Sequence, residues 1–437
     1  MSTISIIGMV AAVALLSFMV LKRVNVYVAA IACSIVVALT GQIDLYKALQ
    51  TNYMGGFGAF VGNMLLVFLA GAFLGEIYNK TNGAKAIARM IVNKMGIQAA
   101  LIALPVAIGI ISYGGIIGYV ALFAAYPIAL EIFQRADLPR RFIPGVIVFG
   151  TCTFSGIGPG STSGTNLIVQ NVLGTPLMAG AVVGFIATAV QLVVGIIWLI
   201  KMVNAAKANG EHFEARPTDN FSSDENLPSG TVALIPLIFT LLIINVKIGG
   251  KTILPTAFGV FVGCILALAL LHKYLSKDAP IMSLAVTGIK NSIDTAGNTG
   301  AVVAFGSVVK AASGFPILVD AMRSIPGPPM VAISVASTVI AGVCGSATGG
   351  LGIAAPILKE IFTDGMGIDV NILSRMMIIA ASGLDTLPHN GFVVSTISLC
   401  GETHKDSYLP IFWLSVITPA ISIVVAAVLF TLFPNWP

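Results

Sequence analysis

The sequence predicts an all-α fold: a polytopic integral membrane protein with two inverted-topology repeats. Of its 437 residues, 57% are hydrophobic and 9% are charged, and the mean hydropathy is +0.97. Soluble domains carry about 25% charged residues. Unbroken apolar runs such as 177–200 and 409–433 are long enough to cross a bilayer, and lipid favours helices because their backbone is satisfied internally. The two halves of the chain also share landmarks in the same order.

Several apolar segments predict complete transmembrane helices. The first is preceded by no basic residue, whereas Lys22 and Arg23 follow it, so we expect a retained span with its N-terminus outside rather than a cleaved signal. The predicted spans are 3–20, 26–40, 56–78, 177–200, 231–246, 253–271, 296–312 and 409–433.

Two other apolar segments, 98–133 and 329–362, are each interrupted by a small polar cluster. The interruptions are SYGG at 112–115 and GSATGG at 345–350. An apolar run that breaks and resumes predicts a re-entrant hairpin, which enters the membrane and returns on the same side.

Segments 142–173 and 374–400 predict broken transmembrane helices. Their interruptions are the glycine-rich stretch 155–166 and the sequence LDTLPHNG at 384–391. Irregular backbone at membrane depth is tolerated only where protein or a water-filled cavity satisfies its polar groups. The breaks therefore predict an internal site.

An internal duplication is predicted from matched landmarks. The polar stretch 204–229 separates a first repeat, 1–203, from a second repeat, 230–437. PIALEIF at 127–133 matches PILKEIF at 356–362 at an offset of 229 residues. At the same offset Pro159 matches Pro388, and at an offset of 231 Gly75, Gly83 and Gly96 match Gly306, Gly314 and Gly327.

The charge distribution predicts the orientation of the repeats. Five crossings in each half, an odd number, place the two halves in opposite orientations. With the N-terminus outside, fifteen Lys and Arg residues fall on the cytoplasmic side, together with the 204–229 linker, against seven outside. The seven are Lys47, Lys247, Lys251, Lys310, Arg323, Lys359 and Arg375.

Inverted repeats with discontinuous helices predict a substrate site between the halves, near the midplane. Helix N-termini at the breaks would offer N–H groups and a positive dipole end to a carboxylate or phosphate. Packing of small residues between helices is the structural alternative. The candidate substrate-binding residues are Ser112, Gly114, Ser161, Thr162, Ser163, Thr165, Asn166, Ser346, Thr348, His389 and Asn390.

Asp385 and His389 are the ionisable residues inside the broken stretches. A charge at membrane depth is costly, so a functional role is expected. Two cation-coupling roles stay open for Asp385: carrying a proton, or ligating Na⁺ together with backbone carbonyls. His389 would pair with the substrate carboxylate or with Asp385. An Asp–His pair that only ties the break together is the structural alternative.

Other classes of function find little support in the sequence. GPGSTSG at 158–164 lacks the lysine of a phosphate-binding loop, and Thr162 stands where a nucleophile elbow needs serine. The cysteines lack metal-type spacing, and there is no basic stripe of the kind that binds nucleic acid. We expect neither an enzyme nor a cofactor. The alternative to a symporter is an organic-anion channel or uniporter with the same helix-end anion site.

Four motifs carry a family resemblance: GAFLG at 71–75, GAKAIA at 83–88, GSATGGLGIA at 345–354 and SGLDTLPHNG at 382–391. With them, nearly the whole chain resembles the gluconate permease (GntP) family of the ion-transporter superfamily. The resemblance implies a bacterial inner-membrane symporter that takes up hydroxylated monocarboxylates with H⁺ or Na⁺. It also implies a homodimer with a mobile transport domain. The form of the last motif is more similar to 3-hydroxybutyrate permeases than to gluconate-type members, which favours a short hydroxy acid.

Overall fold

The computed structural model describes residues 2–22, 24–113, 118–161, 163–216, 219, 227–245, 247–248, 251–275, 280–321, 327–434 and 436. Almost all of this described part is helical, which confirms the predicted all-α fold. The exception is a short antiparallel pair of strands, β1 (Lys247–Ile248) and β2 (Lys251–Thr252). Two candidate site residues, Gly114 and Thr162, lie outside the described residues.

In the described part of the first half, helices follow one another along nearly the whole sequence. A π-helical turn (Lys47–Tyr53) leads into the third helix, and a 3₁₀ turn (Arg140–Phe142) leads into the seventh. The α-helices are α1 (Ser2–Leu21), α2 (Val26–Gly41), α3 (Met54–Lys80), α4 (Gly83–Met95), α5 (Ile97–Tyr113), α6 (Gly118–Arg135), α7 (Ile143–Ile157), α8 (Gly164–Leu173) and α9 (Ala181–Ala208).

The second half presents a similar series of helices. π-helical segments continue α15 (Lys359–Asp364) and join α18 to α19 (Trp413–Ile417). The α-helices are α10 (Gly230–Asn245), α11 (Thr256–Leu271), α12 (Ile281–Ala311), α13 (Gly314–Ala321), α14 (Pro329–Cys344), α15 (Ala347–Leu358), α16 (Val370–Ala381), α17 (Gly391–Leu399), α18 (His404–Phe412) and α19 (Thr418–Leu432).

Several described helices are apolar and long enough to cross a membrane: Thr3–Leu21, Lys47–Lys80, Ala181–Ala208, Thr256–Tyr274 and His404–Leu432. They overlap five of the predicted spans, and they contain two of these, 3–20 and 56–78, completely. The prediction for 296–312 was too short, because α12 begins at Ile281. Its first half carries Lys290 and Asp294, which hid the helix from a search for apolar runs. α12 packs along α3, so its extra length is stabilised by a neighbouring helix.

Glycines that were matched between the halves occupy equivalent places. Gly96 and Gly327 both have left-handed backbone, with φ of +81° and +116°, which a residue with a side chain adopts only with strain. A Cβ atom on Gly75 of α3 would lie 3.1 Å from a carbonyl oxygen of α6, and one on Gly306 of α12 would lie 2.8 Å from a carbonyl oxygen of α14. Each long helix therefore uses a glycine to approach a predicted hairpin closely. The inverted orientation of the halves stays a prediction.

Candidate functional site

A cavity of about 710 Å³ lies where the predicted breaks meet. Of the helices that begin at its wall, four follow the predicted breaks: α6 at Gly118, α8 at Gly164, α15 at Ala347 and α17 at Gly391. The first turn of a helix has N–H groups without intrahelical partners and carries partial positive charge. The cavity therefore receives N–H groups and positive dipole ends from both halves of the chain.

Helix C-termini reach the same cavity. Ser112 in the last turn of α5, Gly156 in the last turn of α7 and Cys344 at the end of α14 line its wall, as does Ser382 directly after α16. The last turn of a helix has unpaired carbonyl oxygens and partial negative charge. One wall thus combines groups suited to an anion with groups suited to a small cation.

Six of the described candidates for substrate binding line the cavity, together with Asp385: Ser112, Ser163, Thr165, Ser346, Thr348 and Asn390. The described candidates outside its wall are Ser161, Asn166 and His389, each almost completely buried. The sequence places all nine residues at the predicted breaks, but it does not distinguish those that line the cavity from those that are buried behind its wall.

Three of the lining residues are helix N-caps. Ser163 and Ser346 accept hydrogen bonds through Oγ from the third backbone N–H of α8 (3.4 Å) and of α15 (3.2 Å). Asn390 Oδ1 accepts from the N–H groups of Phe392 (2.8 Å) and Val393 (3.1 Å) in α17. A cap of this kind stabilises a helix by about 1 kcal/mol. These side chains therefore hold the helix ends in place as well as facing the cavity.

Hydroxyl groups provide the remaining polar surface. Thr165 of α8 and Thr348 of α15 bring their Oγ1 atoms to 3.3 Å from each other, and either can donate. The Oγ atom of Ser112 is buried and has no hydrogen-bond partner among the described residues. A buried hydroxyl without a partner is costly, and a bound ligand would satisfy it.

The Asp385 carboxylate ties the second broken helix to the second predicted hairpin. Its Oδ1 accepts a hydrogen bond from the backbone N–H of Ala347 at 2.7 Å and a longer one from Asn390 Nδ2 at 3.4 Å. Asn390 Nδ2 also donates to the Gly345 carbonyl at 3.1 Å. Both hydrogen bonds that described residues donate to the carboxylate use one oxygen, so among these residues the second oxygen remains for a ligand or a cation in the cavity.

The imidazole of His389 is occupied on both sides. Its Nε2 lies 3.2 Å from the Gly342 carbonyl of α14, and its Nδ1 lies 3.1 Å from Ser17 Oγ of α1. A carbonyl only accepts, so Nε2 carries the proton and Nδ1 accepts from the serine hydroxyl. The ring therefore connects α1, α14 and the break before α17. Its hydrogen bonds go to Ser17 and Gly342 and not to Asp385.

Arg375 is a site residue that sequence reasoning missed. The sequence places it among the outside charges, and in the structure its side chain is buried inside the protein, 1% exposed. Its guanidinium donates to the carbonyls of Ile157, Leu177 and Ala179 at 2.7–3.0 Å, and to Asn166 Oδ1 at 2.9 Å. Asn166 therefore faces this arginine. The available signal was the position of Arg375 inside the segment 374–400, next to an apolar run.

Lys310, also assigned to the outside, lies in the wall of the cavity. It stands near the end of α12, and its Nζ donates to the Gly349 carbonyl of α15 at 3.2 Å. Lys310 and Asp385 are the charged residues of the described cavity wall.

A second group of charges lies at the start of α7. The buried Arg140 pairs with Asp219 of the 204–229 linker and, at 3.0 Å, with Glu402, which follows α17. Arg216 of the linker lies 2.9 Å from the same Glu402 carboxylate. The linker is thereby joined to both broken helices.

Within the described residues, no group of three or more His, Cys, Asp or Glu side chains is placed to hold a metal ion. A Na⁺ site formed by Asp385 with backbone carbonyls does not need such a group and stays a prediction.

Comparison with known proteins gives a family match. The model of the GntP family permeases matches residues 4–432. The uncharacterized transporter YxjC of Bacillus subtilis (strain 168) is 28% identical, over 95% of this chain and 97% of that protein. An uncharacterized transporter of Haemophilus influenzae is 23% identical, over 91% of each chain. The high-affinity gluconate transporter of Escherichia coli (strain K12) is 23% identical, over 57% of this chain and 55% of that protein.

Proposed function

Because this chain belongs to the GntP permease family, we propose that it is a symporter that takes up a small hydroxylated monocarboxylate together with H⁺ or Na⁺. Gluconate and 3-hydroxybutyrate are the proposed substrates, the first because a relative is named a gluconate transporter. Membership in this family confirms the predictions of a multi-pass membrane permease and of a chain that is not an enzyme.

The observation that carries the proposal is the convergence of four helix N-termini on one cavity. Together they supply N–H groups and positive potential for a carboxylate without a metal ion. Ser112, Thr165 and Thr348 add hydroxyl groups that match the hydroxyls of a hydroxy acid. The volume of about 710 Å³ falls within the range of pockets for small molecules.

We assign cation coupling to Asp385. Its hydrogen bond to Ala347 joins the break between α16 and α17 to the start of α15, two elements that the superfamily resemblance places in the mobile domain. A proton or Na⁺ on this carboxylate weakens its hold on the Ala347 N–H. Occupancy by the cation then changes the shape of the same wall that binds the anion.

Asn166 and His389 have positioning roles in this proposal. Asn166 pairs with Arg375, and His389 pairs with Ser17 and the Gly342 carbonyl. Neither side chain lines the cavity. They hold the two breaks in place and do not touch the substrate.

We further propose that the protein lies in a bacterial inner membrane with its N-terminus outside and its 204–229 linker in the cytoplasm. Both follow from the charge distribution and from the bacterial relatives. The inverted repeats and the homodimer belong to the same proposal.

Uptake into proteoliposomes tests this function. Labelled gluconate and 3-hydroxybutyrate are offered with an H⁺ gradient or a Na⁺ gradient, each imposed separately. Saturable accumulation above the outside concentration is the expected result with one of the gradients. Flux that only dissipates the anion gradient would identify a channel or uniporter instead.

A further inference from the structure

Lys310 is a cation in the wall of a cavity that we propose binds an anion. It lies near the end of α12, and its ammonium donates to the Gly349 carbonyl in the first turn of α15. We propose that Lys310 binds the substrate carboxylate and thereby selects anionic substrates. This inference rests on the proposed function and deepens it.

The ammonium lies between two helix ends with opposite preferences, and the last turn of its own helix, α12, favours a cation. The first turn of α15 is the positive end of its dipole, and a cation there is destabilising by about 0.3–1 kcal/mol. The ion pairs of Arg140, Arg141 and Arg216 do not include Lys310, and its hydrogen bond in the described part of the chain goes to a neutral carbonyl. A bound carboxylate would supply the missing negative charge.

The ammonium has hydrogen-bonding capacity to spare. A lysine ammonium has three N–H donors, and the Gly349 carbonyl takes one of them. Gly349 has no side chain in the way: a Cβ there would lie 3.2 Å from Nζ. Among the described residues no other acceptor takes the remaining donors, which can meet a carboxylate that also reaches the first-turn N–H groups of the helices around the cavity.

The charges of the cavity match one anion and one cation. Lys310 and Asp385 are the charged residues of its described wall, and both contact α15, at the Gly349 carbonyl and at the Ala347 N–H. A monocarboxylate at Lys310 and a monovalent cation at Asp385 leave the loaded wall electrically neutral. A second carboxylate on the substrate would lack a partner, so the site favours monocarboxylates.

The test compares Lys310→Gln, which loses the charge but keeps an N–H donor, with Lys310→Arg, which keeps the charge. Lys290→Gln is the matched control, because Lys290 is exposed on the same helix. Binding of gluconate, 3-hydroxybutyrate and the neutral amide of 3-hydroxybutyrate is measured on purified protein, with melting temperature as the check on folding.

We expect Lys310→Gln to weaken binding of both carboxylates by about tenfold or more, because a charged hydrogen bond is lost. Binding of the neutral amide stays within about twofold, because the lost interaction requires a charge. Lys310→Arg and Lys290→Gln bind the carboxylates nearly as the wild type does. Lys310→Met is a second uncharged variant and gives the same pattern if Gln disturbs the fold.

Equal carboxylate binding by wild type and by folded Lys310→Gln would overturn the inference alone. Equal weakening of carboxylate and amide would also overturn it, because that result describes a structural lysine. Wild-type protein that neither binds nor accumulates the two carboxylates would overturn the proposed function, and this inference with it.

Discussion

The side-chain hydroxyls of Thr165 and Thr348 lie 3.3 Å apart, although 183 residues separate them in the sequence. Each is the second residue of a helix that begins at the cavity, α8 in the first half and α15 in the second. The contact brings one broken helix and one predicted hairpin together at the proposed substrate site. Their shared hydrogen bond leaves at least one hydroxyl lone pair for a ligand.

Removing either hydroxyl should weaken substrate binding. Thr165→Val and Thr348→Val keep the shape of the side chain, and each should raise the substrate Kd about two- to tenfold, because one polar contact is lost. The double variant should raise the Kd by less than the product of the two single-variant factors, because both substitutions remove the same hydrogen bond between the hydroxyls. Calorimetry on purified protein measures this, with Thr→Ser at each position as the control. Full additivity would show that the two hydroxyls act separately.

Asp385→Asn should separate binding from coupling. The amide keeps the size of the side chain and can still accept from Ala347, but it cannot ionise. We expect the variant to bind substrate and exchange it across proteoliposomes, yet fail to concentrate it under an H⁺ or Na⁺ gradient. Asp294→Asn is the control, because Asp294 is exposed and outside this cavity. Uphill accumulation by Asp385→Asn would move the coupling role to another group.

Arg375→Met should destabilise the protein strongly. The substitution leaves the carbonyls of Ile157, Leu177 and Ala179 and the Asn166 amide without their buried donor. Each buried acceptor left without a donor costs about 1–3 kcal/mol, and a thermal melt in detergent would detect the combined loss.

Arg375→Lys should recover only part of this loss, because one ammonium cannot reproduce the guanidinium fork. Arg89→Met serves as the control at an exposed arginine. Asn166→Ala should likewise lower the melting temperature, and it should change the substrate affinity of the folded protein little. A variant with Arg375→Met that melts like the wild type would contradict this account.

His389→Gln should lower the melting temperature and leave substrate binding nearly unchanged in the protein that folds. The buried ring connects Ser17 and the Gly342 carbonyl. Ser17→Ala should cause a smaller loss, and the double variant should be less than additive because the two residues share a hydrogen bond. A His389→Gln protein with normal stability and tenfold weaker binding would return His389 to the substrate-binding set.

The linker contacts at the start of α7 permit a comparison of a buried ion pair with an exposed one. Arg140→Ala should cost about 3–5 kcal/mol, because it leaves the buried Asp219 carboxylate without its arginine and leaves Glu402 with Arg216 alone. Arg141→Ala should cost less than about 1 kcal/mol, because its partner Glu211 is 37% exposed. Thermal melts of both variants measure the difference in stability. Equal losses of stability would show that burial does not determine the cost of removing an ion pair.

The exposed pair also has a predicted pH dependence. The hydrogen bond from Arg141 lowers the pKa of Glu211 below its ordinary value. A lowered folded-state pKa means that the pair stabilises the protein above the ordinary pKa of glutamate, about 4.3, and that this stabilisation is lost as the pH falls below it. The difference in stability between wild type and Arg141→Ala should therefore shrink in acid. A difference that is constant from pH 7 to pH 3 would contradict it.

The helix ends were predictable because their signals are local. The break predicted at 155–166 contains the observed end of α7 and start of α8, and the break at 384–391 contains the start of α17. Glycine, proline and capping residues act within three or four positions of a helix end. The start of α12 was missed because its stability comes from packing along α3, which apolar content does not reveal.

By itself, the sequence determined the class of the protein and the places where its helices break. Few charges and long apolar runs permit only a membrane-embedded helical chain, since backbone in lipid must be satisfied within the segment. Tertiary structure alone decided which polar side chains face the cavity. Lys310 and Arg375 appear similar in the sequence, yet one lies in the cavity wall and the other is buried against Asn166. Their partners stand 39 and 209 residues away, and no local spacing encodes a contact that packing creates.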